Sequence, residues 1–152
     1  MENEKKPQEI EEINLDEIEV YESKGIDLSE FEGKRAKIDK AELVTIPTWY
    51  DEVGNEMPRT GSPRMTKVIR VTTEVITEIE NEEGKKIQIK ASELFNIKYE
   101  DGKIKISDSP KSKFQKFFKK IKVNNLKDAI GKEVTVRSYE AKNQQVFLGF
   151  VL

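Results

Sequence analysis

Aromatic and basic side chains are concentrated in one stretch of the sequence that is unsuited to regular secondary structure. Residues 47–66 contain three prolines, two glycines and many charges, and such a long stretch inside a small domain is usually functional or disordered. It carries Trp49, Tyr50, Arg59 and Arg64, and Lys67 follows at its exit. Aromatic rings stack on unpaired bases and cations neutralise phosphates, so this composition favours a surface for single-stranded nucleic acid.

The residues that most enzymes use are missing. The chain of 152 residues has no Cys and no His, which excludes thiol catalysis, disulfides, Cys or His zinc sites and histidine-based triads. Gly131 and Lys132 lack the spacing of a phosphate-binding P-loop, and the acidic residues within 51–56 lack the spacing of an EF-hand. We therefore expect a protein that is not an enzyme and that needs neither a cofactor nor a metal.

The elements that must position these side chains begin with a long strand. Residues 35–46 alternate between apolar and polar types, and the parity of the apolar positions switches between Ile38 and Ala41. One extra residue there predicts a β-bulge, which bends a strand and increases its twist. A long, bent first strand is typical of small closed barrels.

Alternation and turn residues predict the other elements of the domain. They are strands at 67–79 and 85–91 around a turn at 81–84, a helical turn at 92–96, a hairpin at 98–106 around Asp101 and Gly102, a short helical turn at 126–130 ended by Gly131, and strands at 133–139 and 145–152.

One helix is predicted after the small hairpin. Ser109 is the expected N-cap and Pro110 the first helical residue. The helix carries a single apolar stripe at helical spacing, which we expect to face the core: Phe114, Phe117, Phe118 and Ile121.

The predicted order of three strands, one helix and two strands resembles the OB-fold, a partly open five-stranded barrel. Residues 34–152 are similar in this order to single-stranded DNA-binding proteins with one OB-fold, although no diagnostic motif accompanies the topology. The resemblance implies a mainly β domain with one helix, built as a β-β-β-α-β-β barrel over residues 25–152. An SH3-like barrel or another small α+β fold is the alternative.

The resemblance also implies where a ligand binds: on the outer face of strands two and three and on the loops that follow strands one and four. The candidate residues are Trp49, Tyr50, Arg59, Arg64 and Lys67 from the first loop, Arg70 from strand two, Lys86, Gln88 and Lys90 from strand three, Arg137 and Tyr139 from strand four, and Lys142 from the last loop.

Structural alternatives stand beside these assignments. Trp49 is alternatively an anchor of its loop, Tyr139 a plug at the end of the barrel, and the basic residues of the strands a solvated exterior. The densest basic cluster surrounds the Phe stripe and is expected to be a solvated helix face, with a path for a wrapped strand or a dock for the acidic tail as alternatives: Lys111, Lys113, Lys116, Lys119, Lys120 and Lys122.

Charge divides the chain into two unlike parts. Residues 1–33 hold twelve acidic and three basic residues, a net charge of −9, whereas residues 34–152 carry a net charge of +7. We interpret residues 1–24 as an acidic, flexible tail that keeps the protein soluble, shields the basic body or recruits a basic protein partner. In bacterial single-stranded DNA-binding proteins the acidic tail is C-terminal, so the family's tail function does not carry over directly.

These observations predict a protein that binds single-stranded DNA or RNA, with DNA favoured, at low sequence specificity and as an accessory to replication or repair. The alternative is a protein-interaction or assembly module built on the same barrel. The absence of a long apolar run predicts no membrane contact and an intracellular, cytoplasmic protein. The abundance of Lys, Glu and Ile is typical of thermophiles and equally of AT-rich genomes.

Overall fold

The computed structural model describes residues 11–20, 27–51, 53–140 and 146–152. Within them the protein is mainly β with one α-helix. In chain order the elements are β1 (Arg35–Thr48), β2 (Arg64–Thr73), β3 (Thr77–Glu80), β4 (Lys86–Ile89), β5 (Ser92–Asn96), β6 (Lys98–Glu100), β7 (Lys103–Lys105), α1 (Lys113–Ile121), β8 (Glu133–Glu140) and β9 (Val146–Phe150). Single turns of 3-10 helix lie at Leu15–Glu17, Leu28–Phe31 and Lys127–Ala129.

An antiparallel sheet in the order β5-β2-β1-β8-β9 is the centre of the fold. The long strand β1 pairs with β2 through its C-terminal part and with β8 through its N-terminal part. The register between β1 and β2 shifts between Ile38 and Lys40, so the predicted bulge is confirmed. Because a bulge bends its strand, β1 serves both halves of the sheet.

One strand prediction is wrong in its extent, and one helical prediction is wrong. The predicted strand at 67–79 is interrupted at 74–76, where the backbone N–H groups of Glu74 and Ile76 donate to Lys37 and Ile89. The predicted strand at 85–91 is present as β4, and its hairpin around the turn at 81–84 is confirmed, with β3 as its partner in a sheet apart from β2. The segment predicted as a helical turn, 92–96, is β5 and pairs with β2 instead.

Residues 92–96 form a strand and not a helical turn because their side chains alternate between buried and exposed. Glu93 and Phe95 of β5 are 3% and 0% exposed, whereas Leu94 between them is 40% exposed. Pairing with the buried centre of β2 overrides the weak local preference of this five-residue segment.

The small hairpin of β6 and β7 forms around the turn that the sequence predicts. Asp101 and Gly102 both have positive φ angles, 52° and 71°, which a type I′ turn requires. All six strand residues of this hairpin are exposed, so it projects from the sheet.

The helix α1 supplies half of the buried phenylalanines, three of six among the described residues. Its N-cap is Ser112, whose hydroxyl accepts from the backbone of Gln115, so the prediction of Ser109 as N-cap is wrong by three residues. The predicted stripe is otherwise confirmed, because Phe114, Phe117 and Phe118 are at most 4% exposed. The Phe95 ring stacks on Phe114 with centroids 4.4 Å apart, and further aromatic contacts reach Phe150.

The two edge strands of the main sheet approach each other without pairing. β5 and β9 lie close together, but no hydrogen-bonded ladder joins them among the described residues. The sheet is therefore not a closed barrel in this structure.

Part of the predicted acidic tail lies outside the described residues, as does the predicted start of the domain at residue 25. Residues 11–20 are exposed throughout and contain one 3-10 turn, which Asn14 caps by accepting from the backbone of Asp16.

Candidate functional site

The stretch after β1, predicted to be an irregular loop, begins as an ordered turn. The backbone N–H of Met57 donates to the Trp49 carbonyl at 2.6 Å, and that of Asp51 donates to Asn55 at 2.9 Å. The Asp51 carboxylate accepts from the backbone N–H of Asn55 at 2.8 Å and of Val53 at 3.0 Å. These hydrogen bonds, that from Asn55 first, lower the pKa of Asp51 below its ordinary value of 3.8. Asp51 is therefore a turn-holding residue.

Arg64 fastens this turn to the start of β2. Its Nε donates to the Tyr50 carbonyl at 3.0 Å and its Nη2 reaches the Asp51 carbonyl at 3.5 Å. Because the Arg64 guanidinium binds two backbone carbonyls, it holds Tyr50 in place, and only part of the guanidinium is left for other contacts.

A groove of about 730 Å³ lies between this turn and the β6–β7 hairpin. The Tyr50 side chain borders it from the turn and Tyr99 from the hairpin, and the two tyrosines are 45% and 43% exposed. The Nζ of Lys67 lies 5.0 Å from the centroid of the Tyr99 ring. The groove is lined by Thr48, Tyr50, Gly54, Arg64, Thr66, Lys67, Asn96, Ile97, Lys98, Tyr99 and Glu100.

Three of the residues predicted from the sequence thus meet in one groove: Tyr50, Arg64 and Lys67. Sequence reasoning missed Lys98 and Tyr99, which complete it from the opposite side. The available signal was a Lys-Tyr pair one residue before the Asp-Gly turn, which puts a cation and an aromatic ring on the first strand of a short hairpin.

The outer face of β2 holds a second basic group, with a carboxylate at its centre. The Glu42 Oε1 lies 3.4 Å from Arg70 Nη2 and 3.4 Å from Lys40 Nζ. The hydrogen bond from Arg70, followed by the charge of Lys40, lowers the pKa of Glu42. Lys90 lines the same shallow depression of about 230 Å³. Arg70 and Lys90 are brought together as predicted, but Glu42 offsets part of their charge.

Lys86 and Gln88 lie on the predicted third strand, away from Arg70. They are on β4, where Lys86 pairs with Glu80 and Gln88 with Glu78 of β3. Because the chain turns at 74–76, their hairpin forms a sheet of its own with acidic neighbours.

Trp49 and Arg59 form a pair outside the groove. The Arg59 guanidinium lies 5.9 Å from the centroid of the Trp49 ring, which is partly buried. The carbonyl of Trp49 accepts the short hydrogen bond from Met57, so this residue also holds the turn.

The predicted residues of strand four belong to a different cluster. Arg137 lies 4.9 Å over the Tyr139 ring, and its Nη2 is 3.7 Å from Oε1 of the buried Glu93. The Nζ of Lys113 lies 3.6 Å from the other oxygen of that carboxylate. Burial, followed by the charge of Glu93, raises the pKa of Tyr139. Lys142, the last predicted residue, lies outside the described residues.

The lysines around the Phe stripe of α1 fall into two groups. Lys113 donates to the Leu94 carbonyl at 2.6 Å in addition to its contact with Glu93, so it is a structural residue. The rest of the cluster is exposed and lines neither the groove nor the depression beside Arg70: Lys111, Lys116, Lys119, Lys120 and Lys122.

Across the described ranges, no group of three or more acidic residues is arranged to hold a metal ion. In the same part of the chain, no helix has the length and apolarity needed to cross a membrane. Comparisons with protein-family models, with curated proteins and with solved structures find no match for this chain.

Proposed function

We propose that this protein binds single-stranded nucleic acid, preferentially DNA and without strong sequence specificity, and that the groove between Tyr50 and Tyr99 is its principal contact. The observation that carries the proposal is two half-exposed tyrosines facing one groove together with Arg64, Lys67 and Lys98. Stacking on aromatic rings and neutralisation of phosphates are the two interactions that unpaired strands require. No chemical step is involved.

The proposal extends to the fold. We infer a five-stranded, OB-fold-like barrel whose strands are β1, β2, β5, β8 and β9, with α1 between the third and the fourth. The sheet order supports this arrangement, because β5 and β9 are the two edges and approach each other. In such barrels the loop after the first strand contributes to oligonucleotide binding, which agrees with the position of the Tyr50 turn.

Fluorescence anisotropy of a labelled oligo-dT strand tests the proposal, with a matched duplex as the control for general charge attraction. We expect binding to the single strand that weakens steeply with salt, because phosphate contacts release counterions. Tyr99→Ala should weaken binding roughly 5-fold to 150-fold, corresponding to about 1–3 kcal/mol of stacking, and Tyr99→Phe should restore it. No binding at low salt, or equal binding by the duplex, would refute the proposal.

A matched pair of lysines tests the location of the site. Lys98 lines the groove, whereas Lys103 on the same hairpin does not. Lys98→Gln is expected to weaken binding more than Lys103→Gln. Equal effects would mean that the hairpin contributes only long-range attraction.

A second candidate function, a protein-interaction module, is favoured by the apolar residues of the acidic segment 11–20. Ile13, Leu15, Ile18 and Val20 are 67%, 73%, 60% and 97% exposed. A segment that presents apolar groups among acidic ones fits a partner with an apolar cleft and a basic rim. Replacing these four residues by Ser in the full chain should abolish such an interaction and leave oligonucleotide binding unchanged.

A further inference from the structure

We infer that the bound strand continues past the β6–β7 hairpin into a second cavity on its other side, so that the protein holds nucleotides in two subsites separated by the hairpin. This inference rests on the proposed function and adds the path of the strand and a second site to it.

The second cavity measures about 540 Å³. It shares Asn96, Ile97 and Lys98 with the Tyr50–Tyr99 groove, so the two spaces meet at the base of the hairpin. Its lining is Asn96, Ile97, Lys98, Lys105, Ile106, Ser107 and Asp108. A strand leaving the first groove therefore reaches the second cavity across Lys98.

The chemistry of the second cavity fits a nucleotide. Ile97 and Ile106 pack against the hydrophobic core and present a partly buried apolar surface, on which the face of a base is sheltered from water. Lys98 and Lys105 supply cations for the flanking phosphates. The cavity thus combines an apolar surface with two cations and one carboxylate, Asp108, as the first groove combines two tyrosines with three cations and Glu100.

Two charged contacts involve residues of the hairpin. Lys67 lies against Tyr99 on one side. The Lys105 Nζ lies 3.3 Å from Oε2 of Glu100, which itself lines the first groove. Both side chains of this pair are exposed, so the pairing is weak and Lys105 can exchange Glu100 for a phosphate.

The test compares a short and a long oligo-dT strand, of about four and about sixteen nucleotides, the range of site sizes known for single OB-folds. Both strands are titrated against the wild-type protein, Lys105→Glu and the control Lys103→Glu. Lys103 lies on the same strand β7, is exposed and lines neither cavity. The two variants carry the same charge change on the same hairpin.

We expect Lys105→Glu to weaken binding of the long strand on the order of fivefold or more beyond Lys103→Glu, the change that about 1 kcal/mol produces. The short strand should bind both variants alike, because the first groove is sufficient for it. Equal losses for the two strands, or for the two variants, would overturn the second subsite. A wild-type protein that binds only the long strand would contradict the sufficiency of the first groove, whereas one that binds neither strand would refute the proposed function.

A measurement without substitutions gives an independent answer. The backbone amide signals of Ile97, Ile106 and Ser107 are followed by NMR while either strand is added. The second subsite predicts that Ile106 and Ser107 shift with the long strand only. Unchanged signals at both residues with the long strand would contradict it, even where the Tyr99 signal shifts.

Discussion

The groove beside Tyr99 and the cluster around Glu93 are made of the same kinds of residue and differ in their surroundings. In each, a cation lies about 5 Å from the centroid of a tyrosine ring. Lys67 Nζ is 5.0 Å from the Tyr99 ring, and the Arg137 guanidinium is 4.9 Å from the Tyr139 ring. The groove is open and about 730 Å³ in volume, whereas the cluster encloses a carboxylate that is 3% exposed.

In the Glu93 cluster a buried carboxylate pairs with the cations, whereas we propose that the cations of the groove are left for a ligand. The Glu93 oxygens lie within 4 Å of Lys113 and Arg137, although Oε1 has no hydrogen bond. Removing these cations would leave a buried charge uncompensated, which is costly. Lys67, by contrast, lies against the Tyr99 ring, and we propose that it exchanges this contact for one with a phosphate.

The largest effect is expected from removing both cations of the Glu93 cluster. Lys113→Met combined with Arg137→Met should lower the free energy of unfolding by about 3 kcal/mol, the lower end for a broken buried ion pair, since both cations are half-exposed. Urea denaturation measures this change. The matched variant, Lys67→Met with Lys98→Met, should stay within about 0.5 kcal/mol of the wild type. Similar losses in the two variants would erase the distinction between the regions.

The next effect concerns the tyrosines. Tyr50→Ala should weaken oligo-dT binding roughly 5-fold to 150-fold, because each base-aromatic stack contributes about 1–3 kcal/mol. Tyr139→Ala should leave the affinity unchanged, since its ring stacks on Phe147 with centroids 5.8 Å apart. Anisotropy titrations measure both. A larger loss of affinity for Tyr139→Ala than for Tyr50→Ala would place the binding site at the Glu93 cluster and contradict the proposed groove.

A smaller effect separates the cations by salt dependence. Lys67→Gln should reduce the slope of log affinity against log salt concentration by about 0.7, the value for one phosphate contact on a single strand. Arg137→Gln should leave the slope unchanged, because its partner is Glu93. Titrations over a series of salt concentrations give both slopes, and equal slopes for the two variants would count against a phosphate contact at Lys67.

The smallest expected effect is the acid response of the Tyr50 turn. The folded-state pKa of Asp51 is lowered, so its stabilisation is complete above the ordinary value of 3.8 and is lost as the pH falls through the lowered pKa. Emission of Trp49, the only tryptophan, should therefore change in that acidic range. Asp51→Asn keeps an acceptor oxygen without titrating and should remove this component of the transition. An identical pH profile for the variant would show that another group controls the turn.

The parts of the fold that depend on near neighbours could be predicted. The bulge follows from a parity switch within one strand, the Asp101-Gly102 turn from two adjacent residues, and the Phe stripe from helical spacing. The interruption at 74–76 and the strand at 92–96 could not, because they depend on which distant backbone accepts each N–H.

The candidate site was predictable in its residue types and only partly in its position. Tyr50, Arg64 and Lys67 are close in sequence and were found together. Tyr99 joins them because β5 pairs with β2, with Val68 opposite Asn96, which brings the following hairpin beside Lys67. No local pattern specifies that pairing.

The sequence by itself determined the available chemistry: cations and aromatic rings, no thiol and no imidazole, and an acidic N-terminal segment ahead of a basic body. Only the tertiary structure decided which cations are left for a ligand. A lysine or arginine is engaged when the fold brings it close to a buried carboxylate that is distant in sequence, as with Arg137 and Glu93. Local propensity operates over a few neighbouring residues, whereas ion pairing in a folded protein depends on long-range contacts and solvent exclusion.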